Sequence, residues 1–420
     1  MKIDDDQVYV IGTACTPFQR LAETSFKQLT RDVYLQVLAD AGLQDGGEIE
    51  QAWFGNCGMG AVGQSSIRGQ VCFTQLVNEG LFPQRAPIIN VEGGCATASM
   101  AFHGAWKDIL SAQSQLSLAI GVEKIWFPED AGITQRIFDG GIDQLDRQEW
   151  MSYYQRAGEQ AGKAFEPDSG KATVFMHTYA MQAAWHMKTW GTTREQIAFG
   201  AAKNHDMGAL NPKAQYRFRM TPQEVLVDRE ISWPLTRSMC APIGDGAAAA
   251  LLCSGAFLRQ QSPVVQERAV KVCTSVLTGG KYRALDEPSL SAVAAQRAYV
   301  KAGLTPANIS VAEVHDATAF GEIFQAEMLG FCEVGKGGAF VASGATALGG
   351  VIPINLSGGL VSKGHPIGAT GLSMIYEITN QLRGEAGERQ RQGADIGLAE
   401  NGGGVMGFDE AACSIVILRR

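Results

Sequence analysis

The same order of features occurs twice in this 420-residue chain, and that repetition restricts the fold more than any other property. Toward the N-terminus, Pro87-Ile88-Ile89-Asn90-Val91 leads into Gly93-Gly94-Cys95 and a small-residue helix from Ala96 to about Leu110. Toward the C-terminus, Pro353-Ile354-Asn355 leads through Ser357-Gly358-Gly359 and Gly364-His365 into a helix beginning near Gly368. Short apolar runs alternating with longer amphipathic stretches are the pattern of an α/β protein. In the first copy, strands are expected at Val8–Ile11, Gln51–Phe54, Ile88–Val91 and Leu116–Gly121. A helix from Ser25 to Ala41 carries Phe26, Leu29, Val33, Leu35 and Leu38 mostly on one side. In the second copy, strands are expected at Ala269–Cys273, Val311–His315 and Asp395–Ala399, with a helix over Ser289–Ala302. A repeat of this length is a duplicated α/β half, not a solenoid unit. The halves are assigned to residues 1–260 and 261–420.

Residues from about 124 to 235 fit neither copy. They contain Trp150, Tyr153, Tyr154, Trp185 and Trp190 among many charges, and are expected to form a partly helical lid or loop domain with exposed aromatics. Phe175–Lys188 reads as one of its helices, and Gly244-Asp245-Gly246 returns the chain to a core strand over Ala247–Leu252. Composition narrows the function. Lys+Arg 35 against Asp+Glu 43 gives a net charge of -8, which disfavours sequence-independent binding to nucleic acid. With 45% hydrophobic and 19% charged residues, disorder is excluded as the main character. No apolar run approaches the length of a membrane span. The N-terminus, Met1-Lys2-Ile3-Asp4-Asp5-Asp6, has no apolar leader, and Ile417-Leu418-Arg419-Arg420 is not a peroxisomal address. The nine cysteines are an odd number with no CxxC pair, which argues against a zinc ribbon and for a reducing compartment. The expectation is a cytoplasmic globular protein.

Cys95 is the sharpest chemical feature. It follows two glycines at a strand-to-helix junction, where a helix N-terminus is expected to lower a thiol pKa and favour the thiolate nucleophile. Cys253, Cys273 and Cys413 lie in apolar runs and read as small buried hydrophobes. Among six histidines, His315 ends an apolar run just before Asp316, and His365 occupies the place in the second copy that Cys95 holds in the first. If the halves pack about a pseudo-two-fold axis, Cys95 and His365 meet, and an imidazole supplies the base a thiol needs. Ala399-Glu400-Asn401-Gly402-Gly403-Gly404 is the third element. Its glycine amides either form an oxyanion hole with the Cys95 amide or only permit close packing. No His/Cys/Asp cluster shows metal-ligand spacing, and neither GxxxxGK nor a GxGxxG with its acidic partner is present.

These residues resemble the thiolase superfamily. The likeness is carried by Gly94-Cys95-Ala96-Thr97, by Gly364-His365-Pro366-Ile367-Gly368-Ala369-Thr370-Gly371, and by Gly397-Leu398-Ala399 before the triple glycine, and it covers nearly the whole chain. His315-Asp316 and Gly121-Val122-Glu123-Lys124 resemble the sterol-carrier/lipid-transfer branch, since other thiolases have Asn-Glu at the former. The resemblance implies a five-layer αβαβα fold of two βαβαβαββ halves with an inserted loop domain. It implies a homodimer using acyl-CoA as substrate with no covalently bound cofactor.

It also implies roles. Cys95 attacks the thioester while His365 takes its proton, the Cys95 and Gly402 amides hold the first oxyanion, and His315 with His365 holds the second thioester oxygen as an enolate. Phe175 and His177 fall where coenzyme A contacts are expected. Most thiolases carry a second cysteine two residues before the triple glycine, where this chain has Glu400-Asn401. Glu400 is expected to replace that cysteine in proton exchange, a role open to a carboxylate whose pKa an apolar pocket has raised. Asn401 matches the lipid-transfer branch. Two other readings stay open: a lyase or acyltransferase working with a small OB-fold partner, and a non-catalytic acyl-CoA-binding subunit.

Overall fold

The computed structural model describes residues 3–166 and 173–420. Residues 1 and 2, part of the N-terminal segment considered above, and 167–172, inside the expected lid, lie outside the described residues. The first half runs β1 (Val8–Cys15), α1 (Phe26–Ala41), β2 (Gln51–Gly55), α2 (Arg68–Asn78), β3 (Ile88–Val91), α3 (Thr97–Leu110) and β4 (Leu116–Glu123). Helices α4 (Ala131–Asp139), α5 (Arg147–Ala161), α6 (Val174–Trp190), α7 (Arg194–Leu210) and α8 (Pro222–Val227) follow, then a small hairpin of β5 (Glu230–Ser232) and β6 (Leu235–Thr236). β7 (Gly246–Ser254) re-enters the core, and α9 (Gly255–Gln260) and α10 (Pro263–Arg268) lead to the second half. That half runs β8 (Val270–Gly279), α11 (Leu290–Ala302), β9 (Val311–Glu313), α12 (Ala319–Met328), α13 (Gly337–Ala342), α14 (Gly359–Lys363), α15 (Thr370–Arg383), β10 (Ile396–Gly403) and β11 (Ala412–Arg419).

Strand order exposes the duplication. The large sheet reads β3-β2-β4-β7-β1-β8-β11-β10-β9. Outward from the central β1–β8 pair, one side is β1, β7, β4, β2, β3 and the other is β8, β11, β10, β9. The fifth place on the second side is held by a single parallel bridge, Ala312 to Ile354. Pro353-Ile354-Asn355 therefore does not form a strand as long as Ile88–Val91. Asn355 turns the chain away at a φ of 57°, and its Oδ1 accepts from the Val314 amide at 2.8 Å.

Burial gives the layers. Leu29, Val33 and Val37 of α1 and Phe73 of α2 cover one outer face, against Ile120 and Leu251. Ala294 and Ala298 of α11 with Ala326 of α12 cover the other, against Leu398 and Ile415. Between them α3 and α15 form a central layer touched by both sheet halves, Ala248 and Leu252 on one side and Val272 and Val416 on the other. Ser25 is the N-cap of α1 rather than its first residue, accepting from the Gln28 amide at 3.1 Å.

The aromatic residues of the inserted segment differ from expectation. Trp150 and Tyr154 are fully buried, and only Trp190 of the five named is exposed. Along α5 the buried positions 150, 154, 157, 158 and 161 mark an apolar helical face, so the segment has its own small core with Phe175, Val405 and Phe408. Tyr153 and Tyr154 also bond, through their hydroxyls, to the carbonyls of Arg283 and Gly407. Among the described residues, no helix is long and apolar enough to cross a membrane.

Candidate active site

The turn from β3 to α3 is shaped by glycines that permit contact between backbones. Gly94 has φ +56°, and a Cβ on it would lie 2.5 Å from the Gly404 amide nitrogen. A Cβ on Gly403 would lie 2.6 Å from the Cys95 amide nitrogen. The glycine strip ending β10 thus presses on the nucleophile turn, which no side chain there would allow. Small residues in α3 have a similar cause. A Cβ on Gly371 of α15 would lie 2.7 Å from the Ser99 amide, so the two central helices touch through their backbones.

Cys95 and His365 meet across this central layer. His365 Nε2 lies 3.0 Å from Cys95 Sγ, and His365 Nδ1 lies 2.7 Å from Thr370 Oγ1. The Thr370 hydroxyl donates to the Pro366 carbonyl at 2.9 Å, so its oxygen is left to accept the Nδ1 proton. That network fixes the tautomer: Nδ1 carries the hydrogen and Nε2 offers its lone pair to the thiol. The resting charge state differs from the expected thiolate. Burial, then the charge of Glu410, pushes the Cys95 thiol up to about 12, outweighing the amides of Cys95 and Gly404 that stabilise its anion. Burial holds His365 well below the usual imidazole range, with His315 and Lys363 adding to the effect. Desolvation exceeds the helix N-terminus here, and the pair rests as neutral thiol and neutral imidazole.

His315 joins this pair. The Cys95, His315 and His365 ligand atoms lie within 4.8 Å of one another, and the two imidazole rings are 5.3 Å apart. Burial lowers His315 to about 4, and its Nε2 has no hydrogen-bond partner among the described residues. Three such donors are also close enough for one cation, but a protonated thiol hydrogen-bonded to a neutral imidazole is arranged as nucleophile and base. Asp316 acts on the backbone instead. Its carboxylate accepts from the Leu360 amide at 2.6 Å and from Asn204 Nδ2 at 2.8 Å, tying the loop to α14.

The other expected residues divide. Phe175 lines the cavity beside Cys95, whereas His177, two residues along α6, is turned to Ser232 Oγ at 3.1 Å. Asn401 faces the central layer and accepts from Ser99 Oγ at 2.9 Å. Gly402 pairs with Cys413 in the β10–β11 ladder, and the amide that reaches Cys95 Sγ is that of Gly404. Glu400 is not turned toward substrate space: it is fully buried, accepting from the His315 amide at 2.9 Å and from Cys413 Sγ at 3.5 Å. Burial, with the charge of Glu410, raises its carboxyl to about 8.

One cavity opens on the pair and a second on His365 alone. The larger, about 380 Å³, is lined by Cys95, His365, Phe138, Met176 and Tyr179, with Arg68 and Glu92 farther out. The smaller, about 200 Å³, shares Phe138, Met176 and His365 and extends past Tyr216, Arg237 and Ile243. Half of its lining residues come from the inserted segment.

Several site residues are not legible from the sequence. Thr370 and Gly404 lie inside the recognised motifs, but nothing local marks their roles. Tyr179 is one turn from Phe175, so helical spacing could have found it. Glu123 stands in the sequence only as a branch marker, yet its carboxylate gathers the amides of Cys57, Gly58 and Gly368 at 3.0, 2.9 and 3.1 Å. Glu410 carries no sequence signal.

Comparison with known proteins agrees with this fold. Residues 8–230 match the family model for the thiolase N-terminal domain, and 285–418 match the thiolase C-terminal domain-like model. An acetyl-CoA acetyltransferase of Methanothermobacter thermautotrophicus is 33% identical over 406 residues, covering 95% of this chain and 97% of that protein. Human sterol carrier protein 2 is 34% identical over 432 residues, covering 97% of this chain and 73% of that protein. Among solved structures, an Ltp2-ChsH2(DUF35) aldolase superposes with a TM-score of 0.76 at 22% identity, covering 99% of this chain and 98% of that one. The Acat5 thiolase of Ascaris suum, in complex with coenzyme A, gives 0.66 at 18%, covering 99% of this chain and 100% of that one.

Proposed function

This chain belongs to the thiolase superfamily, in the branch of its sterol-carrier and lipid-transfer relatives, and on that premise we propose that it forms or cleaves a carbon–carbon bond of an acyl-CoA thioester through an acyl group on Cys95. The observation that carries the reading is the 3.0 Å contact from Cys95 Sγ to an imidazole nitrogen whose opposite N–H is held by Thr370. Because the thiol rests protonated, the thiolate arises only as Nε2 takes the proton during attack on the thioester carbonyl. His365 then gives that proton to the departing coenzyme A sulfur, leaving the acyl group on Cys95. The negative oxygen of the intermediate sits between the amides of Cys95 and Gly404, each such donor being worth about 2.7–4 kcal/mol in the transition state. A second thioester then binds with its carbonyl oxygen at His315 Nε2, whose neutral ring has a proton to donate as that oxygen becomes an enolate. The smaller cavity fits the pantetheine arm, and the larger one the acyl group.

The test is intact mass after mixing with acetyl-CoA and with octanoyl-CoA, beside Cys95→Ala. We expect an acyl adduct in the wild type and none in the variant. Absence of a Cys95-dependent adduct at every chain length refutes the covalent reading. One observation favours a second reading, a carbon–carbon lyase working with a partner chain: neither position 400 nor 402 supplies a thiol. The Ltp2-ChsH2(DUF35) aldolase shares the fold. Under that reading, cleavage of a 3-hydroxyacyl-CoA proceeds in Cys95→Ala as it does in the wild type.

A further inference from the structure

The proposed carbon–carbon step needs a group that takes a proton from the substrate α-carbon and returns it, and neither histidine is free for that work. His365 serves the thiol, and His315 serves the enolate oxygen. Glu400 has both carboxylate oxygens engaged beneath the His315 backbone. A different carboxylate occupies the space that Gly402 leaves open. A Cβ on Gly402 would lie 2.5 Å from Glu410 Cγ and 2.8 Å from its Oε1, so the carboxyl packs on the glycine strip that touches Cys95. After burial, the Glu410 charge raises Cys95 and Glu400, and it also acts on Tyr179 in the cavity wall.

The turn that carries it is firmly held. Asp409 receives Arg283 Nε at 2.8 Å and the Leu290 amide at 2.9 Å, and the Tyr153 hydroxyl accepts the Phe408 amide at 3.2 Å. By contrast, among the described residues no other residue donates a hydrogen bond to the Glu410 carboxylate. Burial and the neighbouring Asp409 raise its carboxyl to about 7, where a carboxylate both accepts and returns protons.

We propose that Glu410 is the acid–base residue of the carbon–carbon step, in the place where other members of the superfamily use a second cysteine. The inference rests on the acyl-Cys95 reading. In the condensing direction, a Glu410 oxygen takes the α-proton of the second thioester, and the C–H pair becomes the enolate whose oxygen His315 holds. The enolate carbon attacks the acyl carbonyl on Cys95, the new C–C bond forms, and the C–S bond breaks. Cys95 leaves as thiolate and takes the proton that Glu410 received. Cleavage runs the same transfers backward.

The experiment is exchange of α-hydrogen for deuterium in acetyl-CoA and octanoyl-CoA dissolved in D₂O, followed by mass spectrometry. It is run in the wild type and in Cys95→Ala, where no acylation competes. Adding Glu410→Gln to either background is expected to slow exchange by about 100-fold or more. Glu410→Asp is expected to fall between them. Adduct formation in the Glu410→Gln single variant reports that its site is intact. If that variant does not fold, the pH profiles of Cys95→Ala with and without Glu410→Asp decide, since both histidines titrate lower. An inflection near 7 that moves in the aspartate variant supports Glu410 over Glu123 and Glu400, which burial also raises, to about 7 and 8, whereas one that stays in place overturns it. Exchange at the parent rate in Glu410→Gln, no inflection between pH 6 and 8, or a wild type that acylates but exchanges nothing overturns the inference. A wild type that exchanges without forming an adduct instead refutes the covalent reading and leaves Glu410 in place.

Discussion

Replacing Thr370 by valine tests how the base is oriented. The substitution keeps the shape of a fully buried side chain and removes one oxygen. That oxygen is the acceptor for His365 Nδ1–H at 2.7 Å. The Pro366 carbonyl loses the hydroxyl but keeps the amides of Ala369 and Thr370 at 2.9 and 3.0 Å, so no second group is orphaned. In the variant, a buried ring either holds an unpaired N–H or moves the hydrogen to Nε2, where it blocks acceptance of the thiol proton. An unsatisfied buried donor costs about 1–3 kcal/mol. At about 1.4 kcal/mol per tenfold, the reactive tautomer becomes roughly 5- to 150-fold scarcer, and acylation of Cys95 slows in proportion. The assay is single-turnover acylation by acetyl-CoA, quenched in acid and read by intact mass. Thr370→Ser, which restores the oxygen, is expected to recover most of the rate. Acylation of a folded Thr370→Val protein within twofold of wild type refutes the assigned tautomer.

Two further outcomes follow from the geometry. Gly403→Ala places a methyl group 2.6 Å from the Cys95 amide nitrogen, so the nucleophile turn must move; acylation is expected to fall by about 100-fold or more, as a misplacement near 1 Å does, and an unchanged rate in the adduct assay contradicts the close approach. Stability should decline as pH rises from 6.5 to 8. Burial lowers His103 and His315 to about 4, so below 6.5 the unfolded chain binds more protons at histidine and stability rises with pH there. Above 6.5 the balance reverses. Glu123, Glu400 and Glu410, raised to about 7, 8 and 7, keep protons in the folded state that the unfolded chain has lost. Each contributes a slope of up to about 1.4 kcal/mol per pH unit, and Glu400→Gln should flatten the fall of Tm across this window. A wild-type Tm that is level or rising from 6.5 to 8, or an unaltered slope in the variant, counts against the burial of these carboxylates.

What the sequence made legible follows from where its signals are written. The repeated strand, glycine turn and helix lie within short stretches, so the duplication and the pairing of Cys95 with His365 could be read directly. Residues whose role depends on pairing between distant strands could not. Gly404 rather than Gly402 reaches Cys95 because β10 stays in register with β11 through Gly403, and only then does the chain turn toward the thiol. Glu400 and Asn401 are neighbours on a strand and must face opposite sides of the sheet. Asn401 therefore meets α3, and Glu400 meets Cys413. A comparable change of face along a helix separates Phe175 from His177. Trp150 and Tyr154 read as exposed because charges surround them in the sequence, yet their four-residue spacing already marks a buried face. Glu410 acts from across a turn, and nothing local announces it.

The duplication explains why so much of the site is uncharged at rest. Each half contributes one member of the pair, at the end of one central helix, and the helices meet backbone to backbone where Gly371 faces Ser99. Such a junction excludes water, and desolvation then acts on every ionisable group there in the same sense. It raises Cys95, Glu400 and Glu410 and lowers His315 and His365. A thiolate–imidazolium pair held in that environment would carry the cost of two buried charges before substrate arrived. A neutral pair avoids that cost, and in the proposed reaction charge arises only as the thioester is attacked, on an oxygen that the amides of Cys95 and Gly404 would hold. The same logic applies to the proposed second step. A carboxylate near 7 packed on the glycine strip is ionised often enough to take an α-proton, yet not so strongly solvated that returning it is difficult. A carboxylate sealed beneath a backbone amide, as Glu400 is, meets the energetic condition but not the geometric one.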